Sequence, residues 1–276
     1  MSNQSAWAIE EIRSFPNRGR FRSALFDFDG TISLIRQGWQ DVMKPYFFEV
    51  LKSTPSSEDD AAVMRCIHDF VDLLTGKQTI YQCIALAEEV EKRGGKPENP
   101  QVYKDEYNRR LLVRIEDRIR GLEKGELKPA DLVVPGSFEL LRSLRERGLT
   151  LYLASGTDEE YVLRESALLG VDKFFNGGIY GARQDYKLFS KKMIVNKIIT
   201  THGLHGSELL GFGDGYVEIE NVKEAGGFAV GVASDEVRKT GVDQWKRNRL
   251  TGAGADIIIG DYSSAKTLLD YIFAGV

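Results

Sequence analysis

The chain is poor in cysteine, with two in 276 residues. Cys66 and Cys83 fall in one helical stretch without metal-ligand spacing. That excludes a cysteine-bound metal and predicts reduced core thiols, as in a cytoplasmic protein. The chain also lacks a large charge excess: its formal net charge is −4. Nothing in that balance predicts nucleic acid or an anionic membrane as a partner. No apolar run is long enough to span a bilayer, and the polar N-terminus has no signal-peptide apolar region. There is no internal repeat and no low-complexity tract. What is present is a hydrophobic fraction of 42% and a charged fraction of 28%, the balance of a soluble globular protein with a real core. The length allows one large domain or two smaller ones.

The stretch with most chemistry is Leu25-Phe26-Asp27-Phe28-Asp29-Gly30-Thr31. A short apolar run, Ala24-Leu25-Phe26, leads into two carboxylates and then Gly, which predicts a buried parallel strand. A strand that stops here brings both carboxylates to its carboxyl end, where ligands bind in open α/β sheets. Gly30 lets the backbone turn away, and Thr31 adds a short hydroxyl. Asp and Gly are also ordinary turn residues, but a turn needs neither two Asp nor the strand before them.

Residues 1–20 precede this strand. Trp7, Ile9 and Ile12 predict a short amphipathic helix on the core, and Arg18, Arg20 and Arg22 a solvated basic cluster. Residues 34–133 are helical in pattern. Helices are expected over 37–52, 58–74, 79–93 and 99–120, with Ser56 or Ser57 capping the second and Asn99-Pro100 opening the fourth. Joined by short turns, they predict a small antiparallel bundle. Arg36 and the turn Lys77-Gln78-Thr79 are its candidate site residues. Arg109, Arg110, Arg114 and Arg118 read as a solvated face paired with Glu106, Glu116 and Asp117.

Strand and helix then alternate through residues 134–276, as in a doubly wound parallel sheet. The run from Leu149 to Ala154 ends in Ser155-Gly156-Thr157, a strand-to-helix turn able to offer N–H groups and a hydroxyl to an anion. Ser190 caps a helix that begins with Lys191-Lys192, although cations are disfavoured at a helix N-terminus. A lysine placed there needs a negative partner. Lys191 is in phase with Ile194, Val195 and Ile198; Lys187 and Lys192 remain alternatives. Finally, Leu209-Leu210-Gly211-Phe212-Gly213 leads into Asp214, with Glu218 four residues on.

In this order the four segments resemble the motifs of the haloacid dehalogenase-like (HAD) hydrolases, in particular the helical-capped, phosphoglycolate phosphatase-like type. The likeness spans nearly the whole chain. It implies a doubly wound α/β core (21–33 and 134–276) interrupted by an α-helical cap (34–133) that closes over substrate and excludes water. A Rossmann dinucleotide binder is excluded at the first turn, which is Asp-Phe-Asp-Gly-Thr and not Gly-x-Gly-x-x-Gly.

The resemblance implies Asp27 as nucleophile and Asp29 as general acid and base. Thr31, Ser155, Gly156 and Lys191 would bind the phosphoryl group. Asp27, Asp29, Asp214 and Glu218 would hold a metal, although Glu218 stands where Asp is common. Four acids at one site repel one another; a hard divalent cation relieves that, and few carboxylates with retained waters suit Mg²⁺. The expected activity is a Mg²⁺-dependent phosphatase acting on a small phosphorylated metabolite, as a monomer or homodimer. The alternatives are a phosphosugar mutase of the same fold, a dehalogenase, and a catalytically silent phosphate-binding protein. Capped mutases carry a His where this chain has Trp39, and a silent protein would not need all the motif acids.

Overall fold

A computed structural model describes residues 9–16, 18–183, 185 and 190–274. They divide into two compact units: Gly38–Arg120, and the remainder of the chain on either side of it.

The first unit is helical. It holds α1 (Gln40–Lys52), α2 (Asp60–Leu74), α3 (Thr79–Lys92) and most of α4 (Pro100–Glu123). Met43, Phe47, Val63, Ile67, Leu86, Leu111 and Ile115 form its buried face. α2 is capped by Asp59, whose carboxylate accepts the N–H of Ala62 at 2.7 Å, so neither Ser56 nor Ser57 is the cap. The arginine face is paired as expected in part: Arg109 and Arg110 reach Glu106, and Arg110 also reaches Glu49 on α1.

The second unit is a sheet with helices. Its strands are β1 (Glu10–Glu11), β2 (Ser23–Phe26), β3 (Thr150–Asp158), β4 (Gly178–Ala182), β5 (Leu209–Gly213), β6 (Phe228–Val232) and β7 (Ile257–Ile259). They lie in the order β1-β7-β6-β5-β2-β3-β4. Every pairing is parallel except β1 on β7. The helices are α5 (Ser137–Glu146), α6 (Glu159–Leu169), α7 (Lys191–His202), α8 (Tyr216–Glu224), α9 (Gln244–Ala253) and α10 (Ala265–Ile272). β2, β5, β6 and β7 are buried along their whole length, which is why they read as unbroken apolar runs. Phe26 and Phe212 stack across β2 and β5, with ring centroids 4.4 Å apart.

The helix expected near the N-terminus is not present where the chain is described. Glu10–Glu11 instead pair antiparallel with Ile257 and Ile258, and Ile12 packs on the core beside them. An open edge on β7 gives this segment backbone partners that an isolated helix turn would lack. Trp7 lies outside the described residues.

The strand order places the site. From β2 the chain moves outward to β3 and β4, then returns to the other side of β2 for β5, β6 and β7. The order therefore reverses between β2 and β5, and the crevice at such a switch point is where α/β sheets bind ligands. Asp27 and Asp214 are the first residues beyond those two strands.

Candidate active site

β2 ends at Phe26, but the ladder continues one step, with the Asp27 N–H donating to the Phe212 carbonyl at 2.9 Å. This fixes the Asp27 backbone at the switch point. The residue is 6% exposed. Oδ1 accepts the Phe28 N–H at 2.8 Å and lies 2.8 Å from Lys191 Nζ. Burial pushes this carboxyl up, Lys191 pulls it down and the charge of Asp214 adds to the rise; the net shift is upward.

Beyond Asp27 the chain turns tightly. The N–H groups of Ile32 and Ser33 both donate to the Phe28 carbonyl, at 2.8 and 2.9 Å. Gly30 has φ +73°, and a Cβ on it would lie 2.2 Å from Asp214 Oδ2. Glycine is required twice here, for the left-handed backbone and for the space. Thr31 is fully buried. Its Oγ1 accepts the Asp214 N–H at 2.9 Å and faces Asp214 Oδ1 at 3.4 Å. Thr31 was expected on substrate; the structure sets its hydroxyl on Asp214, tying the ends of β2 and β5 together.

Asp29 is held from β3. Its Oδ2 accepts Thr157 Oγ1 at 2.8 Å and Ser155 Oγ at 3.3 Å, while the Thr157 N–H donates to Ser155 Oγ at 3.0 Å. The sequence placed Thr157 in this turn but gave it no part in holding Asp29. Gly156 lies between these two hydroxyls in the chain. Burial raises the Asp29 carboxyl, Arg36 lowers it and Glu165 raises it, giving a value of about 7. Arg36 itself forms a buried fork on Glu165, with Nη2 2.7 Å and Nε 3.0 Å from Oε1.

Lys191 opens α7, where Ser190 accepts the Met193 N–H. The negative partners its position demanded are Asp27 and Glu218, and it forms an ion pair with each. Lys192 pairs instead with Glu224 in solvent, and Lys187 lies outside the described residues. Glu218 was expected beside Asp214 as a fourth metal acid; it stands on the first turn of α8 with its carboxylate on Lys191.

The structure adds groups that sequence reading did not identify. Lys246 Nζ lies 2.8 Å from Asp214 Oδ2 and 2.7 Å from Glu236 Oε1. Tyr262 is fully buried and its hydroxyl has no partner; burial, then Asp214 and Asp27, push it well above its ordinary range. Lys246 had the same signal as Lys191, a lysine in the first turn of a helix just after its cap, Asp243. Tyr262 had none.

A magnesium ion fits this donor set in a limited way. Among the described residues no three His, Cys, Asp or Glu side chains gather as a ready-made metal cluster. Magnesium does not need one, since one or two carboxylates and retained waters suffice. Asp27 and Asp214 are close enough for one charge to act on the other, and Asp29 Oδ1 is buried without a partner.

Fold and site together define a doubly wound α/β protein with an acid–lysine centre at its switch point. A family model of haloacid dehalogenase-like hydrolases matches residues 21–226, and the chain belongs to that family. No curated protein matches the sequence. Among solved structures, a predicted phosphoglycolate phosphatase from Haemophilus somnus is similar at 15% identity and TM-score 0.60, over 90% of this chain and 98% of that one. A β-phosphoglucomutase from Clostridium difficile is similar at 15% identity and TM-score 0.60, over 92% and 97%. A predicted phosphatase from Clostridium acetobutylicum is similar at 18% identity and TM-score 0.59, over 91% and 99%. These likenesses establish a shared fold. No helix among the described residues is long and apolar enough to cross a membrane.

Proposed function

We propose that the chain is a Mg²⁺-dependent phosphatase that hydrolyses a small phosphorylated metabolite through an aspartyl-phosphate on Asp27. The observation that carries this reading is the pairing of Asp27 with Lys191 beside an Asp29 held by two hydroxyls. Asp27 Oδ1 is engaged by Lys191 and the Phe28 N–H, which leaves Oδ2 to attack phosphorus. Lys191 and the Ser155–Gly156 turn hold the non-bridging oxygens, where charge is stabilised during transfer. Asp29 donates its proton to the leaving oxygen and later takes one from water, and a carboxyl raised to about 7 is suited to both steps. Ser155 and Thr157 aim it by binding Oδ2.

In this reading Asp27 and Asp214 hold the metal, with Asp29 alongside, and Glu218 acts through Lys191. When bound, Mg²⁺ offsets the charge of the acids and of the phosphoryl oxygens. Residues 38–120 are the cap and select the substrate.

A phosphomutase is the second reading, supported by the shared fold with a β-phosphoglucomutase. The test is phosphate release from a panel of phosphometabolites with Mg²⁺, with sugar phosphates also analysed for isomerised product. Release that needs Mg²⁺ and vanishes in Asp27→Asn supports the phosphatase. Isomerisation without release supports the mutase. Release that continues in excess chelator overturns the metal dependence.

A further inference from the structure

Lys246 lies outside the four motifs, yet it touches one of their acids. Its side chain is 11% exposed. Asp214 Oδ2 at 2.8 Å, Glu236 Oε1 at 2.7 Å and Ser234 Oγ at 3.2 Å surround its ammonium with oxygen. Ser234 Oγ in turn donates to the Gly30 carbonyl at 2.5 Å, so the group is built into the catalytic turn. A Cβ on Gly30 would meet both Asp214 Oδ2, at 2.2 Å, and Glu236 Oε1, at 3.0 Å; the two carboxylates therefore border the same glycine.

The position is costly for a lysine. α9 is capped by Asp243, whose carboxylate accepts the Lys246 N–H at 2.9 Å, so Lys246 is in the first turn, where the helix dipole disfavours a cation. Two carboxylates outweigh that. The environment of the ammonium is the one a hard cation would choose: oxygen ligands, two of them charged.

We propose that Lys246 is an internal counter-cation of the acid site, which offsets part of the charge of Asp214 and Glu236 in the metal-free protein and competes with Mg²⁺ for Asp214. This rests on the metal assigned to Asp214 above. The fixed positive charge lowers the affinity of the site for a divalent ion. It also keeps the acids from repelling one another when no metal is bound. Glu236 gives the ammonium a partner to retain when Mg²⁺ takes Asp214.

The test is calorimetric titration of Mg²⁺ into the metal-free full-length protein, with thermal unfolding measured with and without Mg²⁺. Lys246→Met is expected to bind Mg²⁺ about tenfold tighter, the size of effect one nearby charge exerts on a divalent ion through a water-like medium. Its melting temperature should fall without Mg²⁺ and recover with it. Lys246→Arg, which keeps the charge, should bind close to wild type, and Glu236→Gln, which removes a negative charge, should bind more weakly. If Lys246→Met does not fold, Lys246→Gln, which also removes the charge, carries the same expectation of tighter binding and the same overturning outcome. Unchanged or weaker binding in Lys246→Met, or unchanged binding in Glu236→Gln, overturns the inference and leaves the metal assignment standing. If neither wild type nor Lys246→Met binds Mg²⁺, the metal assignment fails, and the inference with it.

Discussion

Lys191 bridges Asp27 and Glu218: one ammonium at the start of α7 pairs with the strand-end carboxylate and with the acid on α8. Three elements therefore meet on one charge. Breaking a buried pair by removing one partner leaves a charge uncompensated, so none of the three is silent. Lys191→Met should lower kcat about 10²–10³-fold, the loss typical of one transition-state donor. Glu218→Gln should lower it less, because Glu218 reaches the reaction only by aiming Lys191, and it should leave Mg²⁺ affinity unchanged. Steady-state kinetics and Mg²⁺ titration of both variants check this. Lost Mg²⁺ binding in Glu218→Gln would make Glu218 a metal ligand after all.

Gly30→Ala should damage both stability and the site. Its φ of +73° is strained for any residue with a Cβ, and that Cβ would lie 2.2 Å from Asp214 Oδ2. Strain of this kind costs about 1–3 kcal/mol. The Asp214 carboxylate would also have to move, so Mg²⁺ binding should weaken. Denaturant unfolding and Mg²⁺ titration are the measurements; a variant as stable as wild type would mean that the turn relaxes at little cost.

What the sequence showed, and what it hid, divides along physical lines. Asp27, Lys191 and Asp214 were legible because each stands where an apolar run ends or a helix begins, and that end is fixed by the sheet. The parallel strands were legible because burial on both faces leaves only apolar residues to choose. Thr157 was hidden because its partner Asp29 lies in a distant segment. Lys246 carried the helix-start signal of Lys191 and was passed over, and Glu236 had no signal of its own. Glu218 was read from its spacing to Asp214 alone, and that spacing does not reveal its ion pair with Lys191. The N-terminal segment was read as a helix from Trp7, Ile9 and Ile12, while the open edge of β7 cannot be seen in local pattern.

Acid should selectively erase the contribution of Glu89 in the helical unit. Burial raises its carboxyl, but hydrogen bonds from Lys92, Arg93 and Cys66 outweigh that and hold it at about 2. A folded value below the unfolded one contributes stability that is present above about 4.5, and is lost as pH falls through about 2. Solvent screening keeps the effect to about 1 kcal/mol or less. Glu89→Gln should therefore melt a few degrees below wild type at neutral pH, and the gap should close between about pH 4.5 and 2. A gap independent of pH would show that Glu89 acts by packing and not by charge.

Asp27 and Asp29 can be separated by the leaving group. If Asp29 donates a proton to the departing oxygen, Asp29→Asn should lose far more activity on an alkyl phosphate than on an aryl phosphate. An aryl oxygen leaves without a proton, so general-acid help, worth about 10²–10⁴-fold, matters only for the alkyl ester. Asp27→Asn should lose both equally, since every substrate needs the nucleophile. Thr157→Val removes the hydroxyl 2.8 Å from Asp29 Oδ2, so it should show the same bias as Asp29→Asn, but weaker. The quantity to measure is the ratio of alkyl to aryl kcat/KM in each variant. Equal losses on the two esters in Asp29→Asn would mean that Asp29 serves to position its neighbours. The proton would then have to come from elsewhere, and Thr157→Val would show no bias either.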